Sequence, residues 1–100
     1  MDWLTALTGY RRYYKRHALY RMLQRDIEFA DVDNALRTAQ VIEEYVDDKP
    51  FPSCLVLGVD SRGMPLHLVV AVDVEEESSY IVTVYRPAPE KWQPGFKKRK

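Results

Sequence analysis

The sequence predicts an α+β domain in which two N-terminal helices pack on a four-stranded antiparallel sheet. Apolar residues follow helical spacing near the start of the chain, and four β-branched or apolar runs follow after residue 40. The connections between these runs are short and rich in turn-forming residues. Because parallel neighbours need long crossover connections, short ones indicate an antiparallel sheet.

The first predicted helix spans residues 13–25. Its apolar stripe consists of Ala18, Leu19, Met22 and Leu23. On the opposite side, His17, Arg21 and Arg25 follow at four-residue steps, which places them one above another on a helix. The helix is therefore expected to present a cationic strip.

The second predicted helix is about two turns long and begins at Asp31, a residue type that favours the N-cap position. Val32, Ala35 and Leu36 supply its apolar stripe. The helix is expected to end near residues 38–40.

The predicted strands are rich in β-branched, apolar or aromatic residues and span residues 41–46, 53–59, 66–72 and 80–85. Pro50 and Pro52 separate the first two, and residues 60–63 form a hairpin connection between the second and third. An acidic loop precedes the last strand.

Alternation along the third strand predicts which side chains are covered. One face consists of Leu66, Leu68, Val70 and Val72, and is expected to lie under the helices. His67 then lies on the more open face, where Tyr85 is expected beside it if the buried faces of the two strands match.

Composition predicts a single soluble domain over residues 1–100, with a core at about 13–93 and a mobile basic tail at 97–100. Hydrophobic residues make up 46% of the chain and charged residues 30%, which excludes extensive disorder. The lone Cys54 cannot form an internal disulfide, and no targeting or membrane-spanning segment is visible. These features favour a cytoplasmic location without membrane association.

The net charge of zero conceals a segregation of charge along the chain. Residues 1–25 carry six basic side chains and one acidic one, residues 26–90 carry four basic and fourteen acidic, and residues 91–100 carry five basic and none acidic. Basic segments can bind phosphate backbones, and acidic surfaces can dock basic partners. A solvated surface explains each run equally well.

An ordered string of motifs resembles the bacterial family catalogued as domain of unknown function 4258, over about residues 13–93. The motifs are RHALYRMLQRDI, VIEEY, PFPSCLVLG, PLHLVVAVD and IVTVYRPAPEKW. That family is similar to RelE and MqsR toxins, which cleave RNA and belong to the barnase-EndoU-colicin-RelE type of fold. The resemblance implies two partners: RNA, which for such toxins can be ribosome-associated mRNA, and a cognate antitoxin, which can be a small zinc-finger protein.

Cleaving RNA through its 2′-hydroxyl requires a base, an acid and cations beside the phosphate, and it needs no metal. The catalytic candidates combine imidazole, phenol and guanidinium groups within the resembling motifs, and are His17, Arg21, His67 and Tyr85. Further basic residues are candidates for binding nucleic acid, and are Arg25, Arg86, Arg12 and Lys15. No metal-ligand spacing joins the histidines to Cys54, so neither a metal nor a cofactor is expected.

Each candidate also has a structural explanation. His17 could bond a carbonyl at a helix start, His67 could be a hydrogen-bonded core histidine, and Tyr85 could pack at a sheet edge. We therefore weigh two functions: a toxin-type, metal-independent endoribonuclease that uses acid-base catalysis, and a non-catalytic module that binds protein or nucleic acid.

Overall fold

A computed structural model describes all 100 residues. The chain forms three helices and one five-stranded mixed sheet with the strand order β1-β5-β4-β3-β2. In chain order the elements are α1 (Trp3–Gly9), β1 (Arg11–Tyr14), α2 (Arg16–Gln24), α3 (Phe29–Arg37), β2 (Gln40–Tyr45), β3 (Ser53–Val59), β4 (Pro65–Asp73) and β5 (Ser78–Tyr85). Only β1 runs parallel to its neighbour, and the other pairs are antiparallel.

The α+β class is confirmed, but the prediction of two helices and four antiparallel strands is wrong in detail. Helix α1 was not predicted, and the start of the first predicted helix is instead strand β1. The amide groups of Arg11 and Lys15 donate to carbonyl oxygens of Glu77 and Ile81, so β1 pairs with the open edge of β5. This pairing joins segments more than sixty residues apart in the sequence, and local periodicity cannot report it.

The second predicted helix begins earlier than expected, at Phe29, with Glu28 as its N-cap. Asp31 is the third helical residue and not the N-cap. Its side chain accepts from the Glu28 amide at 2.9 Å, while the amide of Asp31 donates to the carbonyl oxygen of Glu28 at 3.0 Å. Asp31 also accepts from the amide of Ser61 at 3.0 Å, which ties α3 to the β3–β4 connection.

The core lies between the helices and one face of the sheet. The prediction for β4 is confirmed, since Leu66, Leu68, Val70 and Val72 are all buried in one cluster with residues of all three helices. Strand β3 has its predicted bounds, and the other predicted strands match within two residues at each end. The three helices have at most nine residues each, too few to span a bilayer.

The chain after β5 folds back over the opposite face of the sheet. Trp92 is buried there, and Arg99 pairs with Glu43 of β2 while its guanidinium lies 4.6 Å from the centre of the Trp92 ring. The prediction of a mobile tail is therefore wrong at Arg99, because an ion pair and an aromatic contact hold this residue. The reason is again a distant partner, fifty-six residues away in the sequence.

Replacing Asp31 by alanine is expected to lower the free energy of unfolding by about 1–2 kcal/mol, because two backbone amides lose their acceptor. Those amides also lower the pKa of Asp31, so its contribution is present above the ordinary value of 3.8 and is lost as pH falls through the folded value. Urea unfolding at pH 7 and at pH 3 tests both statements. Asp47→Ala, at an exposed acid without hydrogen bonds, is the matched control and should leave stability unchanged.

Candidate functional site

A cavity of about 420 Å³ opens at the edge of the sheet. Strand β1 pairs only with residues 78–81 of β5, and helix α2 lies beside the remainder of that strand. The chain after β5 closes the third side. We call this cavity the cationic cleft, and its lining residues are His17, Arg21, Arg25, Thr83, Tyr85, Arg86, Ala88, Lys91, Trp92 and Arg99.

All charged side chains that line the cleft are basic. Four arginines and one lysine line it, and no carboxylate does. Arg86 pairs with buried Asp60 at 2.9 Å and Arg99 pairs with Glu43 at 2.9 Å. The remaining cations, Arg21, Arg25 and Lys91, form no ion pair. Because unpaired cations gathered in a recess attract anions, the cleft suits a negatively charged ligand.

Five of the eight residues predicted from the sequence come together in this cleft: His17, Arg21, Arg25, Tyr85 and Arg86. Three of them follow at four-residue steps along α2 and its C-cap Arg25, and the other two are the last residue of β5 and the residue after it.

Two predicted nucleic-acid-binding residues lie outside the cleft. Arg12 pairs with Asp33, and the ammonium group of Lys15 lies 5.1 Å from the centre of the Tyr80 ring. Lys91, Trp92 and Arg99 line the cleft and were not predicted for it. The sequence signal for them was only the basic composition of the last ten residues, which says nothing about where that segment folds.

His67 lies behind the cleft wall and not on an open face, which corrects the prediction. It is fully buried because the segment after β5 covers it. The ring of Trp92 packs edge-on against it at 4.4 Å between centres, and that of Tyr85 does so at 5.2 Å. The predicted neighbourhood of His67 and Tyr85 is confirmed, since the two are cross-strand partners.

Both ring nitrogens of His67 are hydrogen-bonded. Nε2 lies 2.8 Å from the carbonyl oxygen of Phe96, and Nδ1 lies 3.1 Å from the hydroxyl oxygen of Tyr85. A carbonyl can only accept, so Nε2 carries a hydrogen. Burial lowers the pKa of His67, which keeps the ring neutral, and Nδ1 therefore accepts from the Tyr85 hydroxyl. Burial also raises the pKa of Tyr85, so its phenol stays protonated at neutral pH.

The remaining residue with reactive chemistry is Cys54, which lies in the core. Burial raises the pKa of its thiol to about 12, so the reactive thiolate does not form near neutrality. No group of three or more histidine, cysteine, aspartate or glutamate side chains is arranged to hold a metal ion.

Comparison with known proteins gives one match. A family model described as "Domain of unknown function (DUF4258)" matches residues 14–86. No curated protein and no solved structure matches, so the expected similarity to RelE and MqsR toxins has no support from these comparisons. The matched range contains the α2 and β5 walls of the cleft and ends before the segment that closes it.

Proposed function

The chain belongs to the family described as domain of unknown function DUF4258, whose model matches most of its length, and we propose that this member binds RNA in the cationic cleft and cleaves it without a metal ion. The observation that carries the proposal is the meeting of unpaired cations with an imidazole and a phenol in one recess that lacks any carboxylate.

The cations account for binding. A phosphodiester gains negative charge as its 2′-oxygen attacks, and guanidinium groups held beside it stabilise that charge. Arg21 lies in the last turn of α2 and Arg25 is the C-cap of that helix, while Lys91 lines the cleft from the segment after β5. A phosphate between these walls would meet donors from two sides.

The two remaining polar groups account for proton transfer. Histidine donates and accepts protons readily near neutrality, and a phenol can exchange its proton through a hydrogen bond. His17 and Tyr85 both line the cleft and come from different elements, α2 and β5. A substrate phosphate between the elements would have one group on each side, as acid-base cleavage requires.

The same charge suits the protein partner that the family resemblance implies. An acidic segment of a cognate antitoxin would pair with Arg21, Arg25 and Lys91 and exclude RNA from the cleft. The proposal therefore includes a partner that competes with RNA for this surface.

Arg21→Ala is expected to lower the rate of RNA cleavage about 100-fold, since it removes a cation that faces the developing phosphate charge. The assay follows cleavage of a mixed-sequence RNA by the purified protein in excess chelator, with and without ribosomes. Arg37→Ala is the matched control, because Arg37 is an exposed arginine on α3 and does not line the cleft.

The control variant should cleave as the wild type does. An equal loss of cleavage rate in Arg21→Ala and Arg37→Ala would show that the cationic cleft is not the site of cleavage. If the wild type binds RNA through Arg21 but never cleaves it, the protein is the non-catalytic binding module that the sequence also allowed.

A further inference from the structure

A chain of hydrogen bonds leads from the segment after β5 through a buried histidine to the cleft wall. It begins at the carbonyl oxygen of Phe96, passes through both nitrogens of buried His67, and ends at the hydroxyl of Tyr85 in the cleft wall. Trp92 packs against the His67 ring and keeps it in place. The cleavage chemistry proposed above, with His17 of α2 and Tyr85 of β5 lining the cleft, does not by itself explain why a histidine is buried behind the tyrosine.

The direction of these hydrogen bonds decides what Tyr85 offers a ligand. Its hydroxyl proton points inward to Nδ1 of His67, so its free lone pairs point away from His67 and can only accept. The arginine and lysine side chains around it can only donate. The Tyr85 oxygen, an acceptor surrounded by cationic donors, suits a ligand that carries a hydroxyl group beside a phosphate. The 2′-hydroxyl of ribose is such a group, and deoxyribose lacks it.

We infer that the Tyr85 oxygen accepts a hydrogen bond from the 2′-hydroxyl of a ribose next to the bound phosphate. During cleavage Tyr85 takes the proton of that hydroxyl, while His67 takes the proton that Tyr85 gives up. This inference rests on the proposed function and names the substrate class, which is RNA and not DNA. Tyr85 is a catalytic residue alongside His17, and His67 is a positioning residue that acts through Tyr85.

The proton and bond changes balance. The 2′-oxygen bonds to phosphorus, its proton passes to the Tyr85 oxygen, and the original Tyr85 proton passes to Nδ1 of His67. The bond from phosphorus to the 5′-oxygen breaks, and a protonated His17 supplies the proton of the leaving group. A 2′,3′-cyclic phosphate and a 5′-hydroxyl result, and both histidines then return to their starting states by exchange with water.

Burial opposes a charge on His67, but the hydrogen-bond partners of its ring can accommodate a brief one. The imidazolium would donate to Phe96 on one side and to Tyr85 on the other, so neither proton would be left unbonded. Glu43 favours that charge and Arg99 opposes it, and these two residues are themselves an ion pair.

The first test measures sugar selectivity in the His17→Ala background, where cleavage is blocked and RNA can be titrated. Affinities are compared for one oligonucleotide sequence as RNA, as 2′-O-methyl RNA and as DNA. We expect RNA to bind about tenfold more tightly than either analogue. Tyr85→Phe retains the ring and should abolish that difference. Equal affinity for RNA and DNA before the Tyr85 change would overturn the inference.

The second test separates proton transfer from orientation. His67→Asn can still accept a hydrogen bond from Tyr85 but cannot take up its proton, so kcat should fall about 100-fold while KM is unchanged. Tyr85→Phe should show a similar loss of kcat together with the weaker RNA binding expected in the first test. Fluorescence of Trp92, which packs on His67, verifies that the segment after β5 remains folded in each variant.

The outcomes distinguish this inference from the proposed function. Cleavage by the wild type and by Tyr85→Phe at equal rates would leave RNA cleavage in the cationic cleft standing, but it would overturn the role of Tyr85 in proton transfer in both proposals. Full activity in His67→Asn with none in Tyr85→Phe would overturn the role of His67. A wild type that neither cleaves nor prefers RNA would overturn both proposals.

Discussion

Gly58→Ala is expected to lower the free energy of unfolding by about 3 kcal/mol or more, the upper part of the range for overpacking a well-packed core. Gly58 lies in β3 directly beneath helix α3. A Cβ atom there would lie 2.7 Å from the carbonyl carbon of Ala35 and 2.8 Å from its Cα. Both are backbone atoms, so no rotation of a side chain can relieve the overlap and α3 would have to move off the sheet.

Thermal unfolding followed by circular dichroism measures the effect, and a loss of that size lowers Tm by about 12 °C or more in a chain of this length. Gly9→Ala is the matched control, since nothing lies within 4 Å of its added Cβ. A Gly58→Ala variant as stable as the wild type would mean that α3 and β3 are not in such close contact.

Asp60→Ala is expected to cost about 3 kcal/mol of stability, the lower end of the range for breaking a buried ion pair, because its partner Arg86 remains one third exposed to water. The Asp60 carboxylate is fully buried and accepts from the amides of Arg62 and Met64 as well as from Arg86. Removing it leaves the β3–β4 connection without its internal acceptor and leaves Arg86 without an anion.

The pH dependence of stability gives a second test of the Asp60 carboxylate. Burial of Asp60 opposes its ionisation, but the hydrogen bonds from Met64, Arg62 and Arg86 outweigh burial and hold its pKa below the ordinary value of 3.8. A lowered folded pKa means that this stabilisation is present above 3.8 and is lost as pH falls through the folded value. The variant should therefore differ from the wild type in urea unfolding at pH 7 much more than at pH 2.

The matched control for Asp60 is Glu75→Ala, which removes an exposed acid in the turn after β4. Its unfolding curve should overlay that of the wild type. A cost of Asp60→Ala that persists unchanged at pH 2 would show that the carboxylate charge is not the source of the stability.

Much of the site followed from short-range patterns. The four-residue spacing of His17, Arg21 and Arg25 places them on one strip of a helix in any fold that contains the helix. The expected faces of β4 and β5 predicted that His67 and Tyr85 would be neighbours, and they pair across the strands. A register shift further along the pair interrupts the alternation, so Ile81 and Val84 both lie in the core. Both predictions depend on backbone geometry that the residue types themselves favour.

The burial of His67 did not follow from such patterns. Alternation assigns a side chain to a face of the sheet but does not report what covers that face. Here the cover comes from Trp92 and Phe96, the latter twenty-nine residues away in the sequence. The same segment supplies Lys91 and Arg99 to the cleft. The periodicity of residues along the chain could therefore not predict that this segment encloses the site.

Residue spacing within single elements therefore predicts the α+β class, the buried face of β4 and the cationic strip of α2. Long-range packing sets the parallel pairing of β1 with the edge of β5, the return of the last residues over His67 and the position of the strip beside Tyr85 in one cleft. These features depend on contacts between residues far apart in the chain, and such contacts leave no local pattern.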